Sequence, residues 1–496
     1  MSEAAAADRR LHPGTILVRF AKEAPSVLAL PAGLAFLSDA GLGRAILVAA
    51  AIGAVMAAMA CLFWWRFRYG VGAGEIVIEK GLLARTRRVI PFDRIQDVDI
   101  ERALLARLFG LAKVRIETGA GGKDEGVLDS VSVAEADRIR RAVRAFRTGA
   151  APADEGEEAP PAEAPVGRVV FEMGIGRVLV SGLFNFSLVY IAGFFGLLQT
   201  FDQFLPFDPY DPARWLGLVG PYLPGRFTIA AMLAVLFLAA LLGFVAGMLR
   251  TLARDFGFRL LLEGERFRRE HGLLTRSEAV IARARVQLAH IQTGPLRRLL
   301  GWAELSFQTL GTGTGDSGRQ AAAPFARPDE IGAVLAAAGR YRLPPPPYLV
   351  QVSQRHIVRA LARYVAPLAL VLGLSLWNER ALLLLLPFPF LAVSAALERR
   401  FHRYAIEDGL LFVAAGPWRQ QLWIVPLGNV QALSLSRTWL QRRVGLATLA
   451  VDTAGSPAMR GPRIVDVRLE TGRGLAEAIS AGRAAYSSGR KSGTDK

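Results

Sequence analysis

Cysteine is nearly absent. Cys61 is the only one, so no disulfide can form within the chain, which suits a reducing compartment. Histidine is scarce as well. His12, His271, His290, His356 and His402 are scattered without metal-ligand spacing, and no serine lies in a nucleophile-elbow motif. Metal-dependent and covalent catalysis therefore find no support, and the expectation is a non-enzymatic protein without cofactors. The first twenty residues contain no apolar core leading to a small-residue cleavage site, which argues against a cleaved secretory signal. Charge is missing from the middle of every long apolar run. An ionisable residue at mid-bilayer costs about 2.5–3.5 kcal/mol and is accepted mainly on ion or proton pathways, so a pump or secondary transporter is disfavoured.

What is present in excess is apolar and basic. Lys and Arg outnumber Asp and Glu by 60 to 43, for a net charge of +17, and 52% of residues are hydrophobic. The charge alone fits nucleic acid or an anionic membrane, but the hydropathy selects the membrane. Residues 45–65 and 227–248 are uncharged runs long enough to cross about 30 Å of hydrocarbon as helices, and 178–198 is nearly as clear. Three weaker runs are 24–40, 361–377 with Arg363 near its start, and 381–397 with Pro387 and Pro389; these suit tilted or short spans. A buried core helix is the competing reading for each run.

Paired, the six runs give three hairpins, each followed by a polar module. Arg and Lys cluster at one set of span ends: Arg19 and Lys22, Arg66 and Arg68, Arg168 and Arg177, Arg250 and Arg254, Arg359 and Arg363, Arg399 and Arg400. Retention of such residues in the cytoplasm puts both termini and all three modules there, as expected of a multi-pass protein of a bacterial inner membrane. The expected division is an N-terminal segment 1–23, hairpin 24–65, module 66–147, acidic disordered linker 148–167, hairpin 168–250 and module 251–340. A Pro-rich linker 341–357, hairpin 358–398, module 399–484 and disordered tail 485–496 follow.

The modules are copies of one another. Gly81, Gln96, Leu105, Arg107 and Gly110 recur at the same spacing as Gly272, Gln287, Leu296, Arg298 and Gly301, and again as Gly416, Gln431, Leu440, Arg442 and Gly445. A register held that long without gaps marks one structural unit repeated three times. In the first copy, 67–71, 75–79, 87–92, 95–100 and 114–118 read as strands, a short helix runs over 102–109, another strand lies near 126–128, and 133–146 is a helix. Antiparallel strands closed by a C-terminal helix make a small barrel or sandwich, so the fold class is an α+β membrane protein.

The order of a Tyr-containing strand, a Gly-Leu-Leu turn, Ile-Pro, Ile-Gln-x-Val and Leu-x-Arg-x-x-Gly-Leu-Ala, followed by a Glu-Thr strand and a helix, resembles the bacterial pleckstrin-homology domain of the YdbT-type membrane proteins. Leu11, His12 and Pro13 ahead of the first hairpin fit that resemblance, which covers nearly the whole chain. It implies two antiparallel sheets packed orthogonally, capped at one end by the helix, and a scaffold or envelope-stress and antimicrobial-defence role. The second copy departs with Ala282 in place of Pro91 and Pro426; the third has Asn429 where Arg94 and Arg285 stand.

For the recurring residues two readings stay open. Gln96, Gln287 and Gln431 either satisfy backbone groups at a strand-to-helix corner or contact a hairpin, another repeat or a ligand. Arg107, Arg298 and Arg442 either complement a helix dipole or bind a carboxylate or an anionic headgroup. Gly110, Gly301 and Gly445 are expected to supply a positive φ or close packing. Arg138, Arg140, Arg141, Arg144 and Arg147 form either a solvated basic face or a lipid-facing one. The Gly-rich stretches at 119–124 and 311–316 lack the Gly-Lys-Ser/Thr order of a phosphate loop and read as hairpin turns. Expected partners are the membrane, a protein of unknown identity (a smaller member of the same family being one option) and anionic lipid; nucleic acid is not expected. Lipid sensing, and transport or lipid handling through the spans, are the alternatives to a scaffold.

Overall fold

The computed structural model describes residues 7–20, 41–72, 74–81, 84–118, 126–148, 167–185, 228–309, 319–344, 349–454 and 461–492. In the first repeat, β1 (Arg9–Arg10), β2 (Arg68–Val71), β3 (Glu75–Lys80) and β4 (Thr86–Pro91) form a four-stranded antiparallel sheet. A three-stranded meander follows: β5 (Ile95–Arg102), β6 (Leu111–Thr118) and β7 (Gly126–Ser132), and then the helix Val133–Thr148. Ile76, Ile78 and Ile90 from the first sheet, Val98, Val114 and Leu128 from the second, and Ile139 from the helix are buried in one core. Alternation along each strand puts these side chains on a single face, as the sequence pattern requires.

The second repeat runs through β8 (Arg168–Glu172), β9 (Arg259–Glu263), β10 (Arg266–His271) and β11 (Arg276–Ala282). Its meander is β12 (Val286–Thr293), β13 (Ala303–Thr309) and β14 (Arg319–Ala326), closed by the helix Pro328–Ala337. The third has β15 (Val350–Gln351), β16 (Arg403–Glu407), β17 (Leu410–Ala415) and β18 (Gln420–Pro426). There the meander is β19 (Val430–Ser436), β20 (Leu446–Thr453) and β21 (Arg463–Arg468), closed by the helix Leu469–Ser492.

Two features depart from the sequence reading. First, β1, β8 and β15 lie upstream of the helices yet pair with β2, β9 and β16. Each module is therefore interrupted by its own helices, and both ends of the insertion are pinned to adjacent strands. Segments as short as Arg9–Arg10 and Val350–Gln351 carry no usable alternation, so 168–172 and 350–351 read as hairpin and linker. Second, the tail expected to be disordered from 485 is helical through Ser492. The linker at 149–166 and the Gly-rich stretches at 119–125 and 310–318 lie outside the described residues, as does the run 24–40; flanking the stretches, β6 pairs with β7 and β13 with β14.

Of the six expected spans, two described segments are long and apolar enough to cross a membrane, Arg355–Ser375 and Ala381–Phe401. Helices also cover the second and fourth runs, Gly41–Arg66 and Thr228–Asp255, while the third is described only over its start, in the helix Ile175–Leu183. That helix packs closely on Thr228–Asp255. A Cβ on Gly182 would lie 2.6 Å from Met248 Cα, and Asn185 Nδ2 donates to Thr251 Oγ1 at 2.9 Å. Small residues that let backbones approach are how apolar helices associate in lipid.

Candidate functional site

The recurring residues acquire roles from the way the repeats meet. β5 pairs with β11, so the meander of the first repeat and the four-stranded sheet of the second form one seven-stranded sheet; β12 and β18 do the same for the second and third repeats. At the first joint Arg102, Glu101 and Ile100 face Arg276, Ser277 and Glu278. At the second, Thr293, Gln292 and Ile291 face Gln420, Gln421 and Leu422, and His290 and Ala289 face Trp423 and Ile424. Aligned by repeat, Thr293 corresponds to Arg102 and Gln420 to Arg276. The two joints thus share one register.

Side chains lock both joints. Arg140 Nη1 donates to Glu278 Oε1 at 2.5 Å, and Arg268 Nε lies 3.0 Å from the same oxygen. Arg140 is thereby a joint residue rather than part of a lipid-facing surface, whereas Arg141 and Arg144 are exposed and Arg138 lies 3.7 Å from Glu135; Arg147's side chain is not described. In the second joint the buried Gln308 Nε2 donates to Thr453 Oγ1 at 3.2 Å and to the Ala454 carbonyl at 3.1 Å. Asn429 Nδ2 donates to the carbonyls of Val286 and Gln287, so the residue by which the third copy departs from the others serves the seam. His290 Nε2 lies 3.1 Å from Gln421 Oε1, and burial, helped by the positive charge of Arg319, pushes its pKa down to about 3.

Each recurring Gln occupies a β-bulge. The register between β5 and β6 shifts between Ile95 and Asp97, that between β12 and β13 between Val286 and Leu288, and that between β19 and β20 between Val430 and Ala432. A bulge bends its strand and leaves an extra residue unpaired. In the second repeat Gln287 is buried and its Nε2 satisfies the Arg285 carbonyl at 3.1 Å; Gln431 is exposed. Gly81, Gly272 and Gly416 make the tight turn before β4, β11 and β18. At Gly272 φ is +110° and a Cβ would lie 1.9 Å from the Thr275 carbonyl oxygen. Gly110, Gly301 and Gly445 have φ of +65°, +74° and +71°, as a helix-ending glycine requires.

The recurring Arg crosses to the next repeat. Arg107 Nη1 donates to the Leu273 carbonyl at 3.0 Å, and Arg298 Nη1 to Gln420 Oε1 at 3.2 Å. Arg442 is exposed. The short helices that carry these arginines adjoin the ends of the apolar helices. Leu273 N donates to the Ala253 carbonyl in Thr228–Asp255, and the Arg298 guanidinium lies 4.6 Å from the ring of Phe401. Leu108, Leu296 and Leu299 on the short helices are more than two-thirds exposed.

A polar cluster in the third repeat escaped the sequence reading. Asp466 is fully buried, with φ of +60°. Its Oδ2 lies 2.7 Å from His356 Nδ1 and accepts from Arg359 Nε, and its Oδ1 accepts from Gln441 Nε2 at 2.7 Å. Burial by itself would raise this carboxyl; the hydrogen bonds from His356 and Gln441, with the Arg359 charge, outweigh burial and hold it below the usual carboxylate range. His402 Nε2 accepts the Val465 amide at 3.2 Å, and burial, then the neighbouring His356, pushes its pKa down to about 4. His356 and His402, distant in sequence, so come together around one carboxylate. The buried His356 Nε2 has no hydrogen-bond partner and faces a cavity of about 770 Å³ at the seam of the second and third repeats. Arg319, Arg359, Arg419 and Arg463 line it with Glu398, the one acidic lining residue among those described. Among the described residues no group of His, Cys, Asp and Glu could hold a metal ion.

Residues 26–147, 212–341 and 358–483 match the family described as "Bacterial PH domain". The chain is 24% identical over 435 residues to the UPF0699 transmembrane protein YdbT of Bacillus subtilis (strain 168), covering 83% of this chain and 84% of that one. It is 34% identical over 77 residues to the UPF0699 transmembrane protein YdbS of the same organism, covering 16% of this chain and 46% of YdbS. No solved structure matches. With three matches that together span most of its length, each covering one module from β2, β9 or β16 onward, the chain belongs to the bacterial PH domain family.

Proposed function

We propose that this is a non-enzymatic scaffold of a bacterial inner membrane, in which six spans hold three PH-like domains against the cytoplasmic leaflet as one continuous interaction body. The strand joints carry this reading. Two independent joints in one register, each backed by side-chain polar contacts, make a unit rather than three tethered beads. The alternating basic span ends support the orientation, and the transmembrane relatives support the membrane setting. The exposed leucines beside the helix ends suit the interfacial zone of a leaflet, where apolar side chains bury while neighbouring arginines meet headgroups. An envelope-stress or antimicrobial-defence setting remains part of the proposal through the family resemblance.

The test is a cysteine pair at directly opposed positions, Glu101→Cys with Ser277→Cys, in a Cys61→Ser background and in native membranes. Rapid disulfide formation within one chain is expected. No disulfide above that of a pair displaced by four residues would refute the single body.

The cavity favours a second reading, an anionic headgroup site. An arginine-rich lining beside the ends of the third helix pair, with Arg419 within it, suits a phosphate-bearing lipid. In neutral-lipid nanodiscs, added short-chain phosphatidylglycerol should raise the melting temperature, and Arg419→Gln should reduce that rise. An unchanged melting temperature would remove the reading.

A further inference from the structure

Two strands break the pattern that the joints establish. β11 and β18 each pair outward with the preceding repeat, but β4, their counterpart in the first repeat, has no outward partner among the described residues. β5 and β12 each pair outward with the following repeat, but β19, their counterpart in the third, has none. Among the described residues these two sheet edges are open, and each is the kind of edge that its opposite number engages twice within the same molecule.

Exposure tracks the missing partners. Val89 in β4 is 45% exposed, whereas Ile424, its equivalent at the second joint, is buried. Ser434 in β19 is exposed, whereas Asp99 and His290 at the same position are buried. Arg442, last of the arginines that otherwise cross to the next repeat, stands at this same end. Open strands are usually blunted because their free amides and carbonyls recruit further strands. Arg483 Nη1 donates to the Gln431 carbonyl at the start of β19, and among the described residues no strand pairs with the outer edge of either β4 or β19.

We propose that β19 of one copy pairs antiparallel with β4 of a second copy of this chain, continuing head to tail the joint used between its own repeats. The register follows from the internal joints. Ser436 faces Thr86, as Glu101 faces Ser277 and Gln292 faces Gln421; Ser434 faces Arg88, as His290 faces Trp423. The contact is heterologous, so it closes into a ring or extends along the membrane. All copies keep their modules on one face, since the spans already impose that. The inference rests on the joined body proposed above, and it names that body's partner.

The experiment uses the full chain in native membranes, in the Cys61→Ser background. Chains carrying Thr86→Cys and chains carrying Ser436→Cys are co-expressed and mildly oxidised, beside Thr86→Cys with Ala432→Cys as the displaced control. A two-chain product is expected for the first mixture alone and for neither variant expressed singly. In detergent, light scattering should give a multiple of the single-chain mass, and Ser434→Arg, which sets a second guanidinium opposite Arg88, should return the mass of one chain. A Ser436→Cys product with some other protein in place of the Thr86→Cys chain, or a single-chain mass before substitution, overturns the proposal. If the Glu101/Ser277 pair links within the chain while the 86/436 pair does not, the end-to-end contact fails and the joined body survives; if both fail, both fall.

Discussion

Arg276 lies directly opposite Arg102 where the first two repeats meet. Like charges facing each other across antiparallel strands weaken the pairing. Here Glu270, on the neighbouring β10, accepts from Arg276 Nη2 at 3.1 Å, and Arg268 lies 2.9 Å from Glu270 and 3.0 Å from Glu278. Glu270 and Glu278 thus offset part of the joint's positive charge.

Glu278 is the residue on which that arrangement turns, since it also accepts from Arg140 of the first repeat. Glu278→Gln is expected to cost about 1.5–3 kcal/mol, the worth of a charge-assisted hydrogen bond. Chemical unfolding in detergent checks the magnitude. Limited proteolysis should show new cuts near the first joint, with the second unchanged.

Gly272→Ala should be more disruptive than Gly301→Ala, although both sites have positive φ. At Gly272 a Cβ would meet the Thr275 carbonyl oxygen, while at Gly301 nothing lies within 4 Å. Left-handed backbone alone costs a non-glycine residue about 1–2 kcal/mol, so Gly301→Ala is expected in that range and Gly272→Ala above it. Thermal melts of the two variants, compared side by side, decide the order.

Much of this fold was legible in the chain. The strands at 75–79, 95–100 and 114–118 and the helix at 133–146 fell within two or three residues of the elements observed, because alternation and helical spacing act over a few residues. The glycine set was readable for a similar reason, since turns demand particular backbone angles. The joints were not. Edge pairing such as Ile100 with Glu278 depends on contacts between distant segments and leaves no local period. The Asp466 cluster was hidden likewise: His356, His402, Gln441 and Asp466 come from four separate elements, and none recurs between repeats. The recurring Gln showed its position but not its bulge.

The buried carboxylate makes Asp466→Asn informative. Asn tolerates the φ of +60° there, so the substitution removes charge without adding backbone strain. Leaving the Arg359 guanidinium uncompensated should then cost about 3–5 kcal/mol. Denaturant unfolding measures this, and Gln441→Ala should cost less because it leaves the Arg359–Asp466 ion pair in place.

Acid should loosen the second joint. The His290 pKa is about 3 in the folded protein against 6.5 for a free imidazole. Between those values the unfolded chain binds the extra proton, so this histidine's contribution is complete above pH 6.5 and falls as pH drops toward 3. His402, held near 4, acts in the same sense. Melting temperature should therefore decline from pH 7 to pH 4.5, and His290→Gln should flatten part of that slope.

Hydrogen–deuterium exchange of the full chain in native-lipid nanodiscs tests the joined body most directly. Backbone amides of β11 and β18 should exchange as slowly as those of the interior strands β10 and β17, because all four are central in seven-stranded sheets. Exchange in β11 and β18 on the time scale of a solvent-open edge would show three separate domains, and the claim of one continuous body would fail.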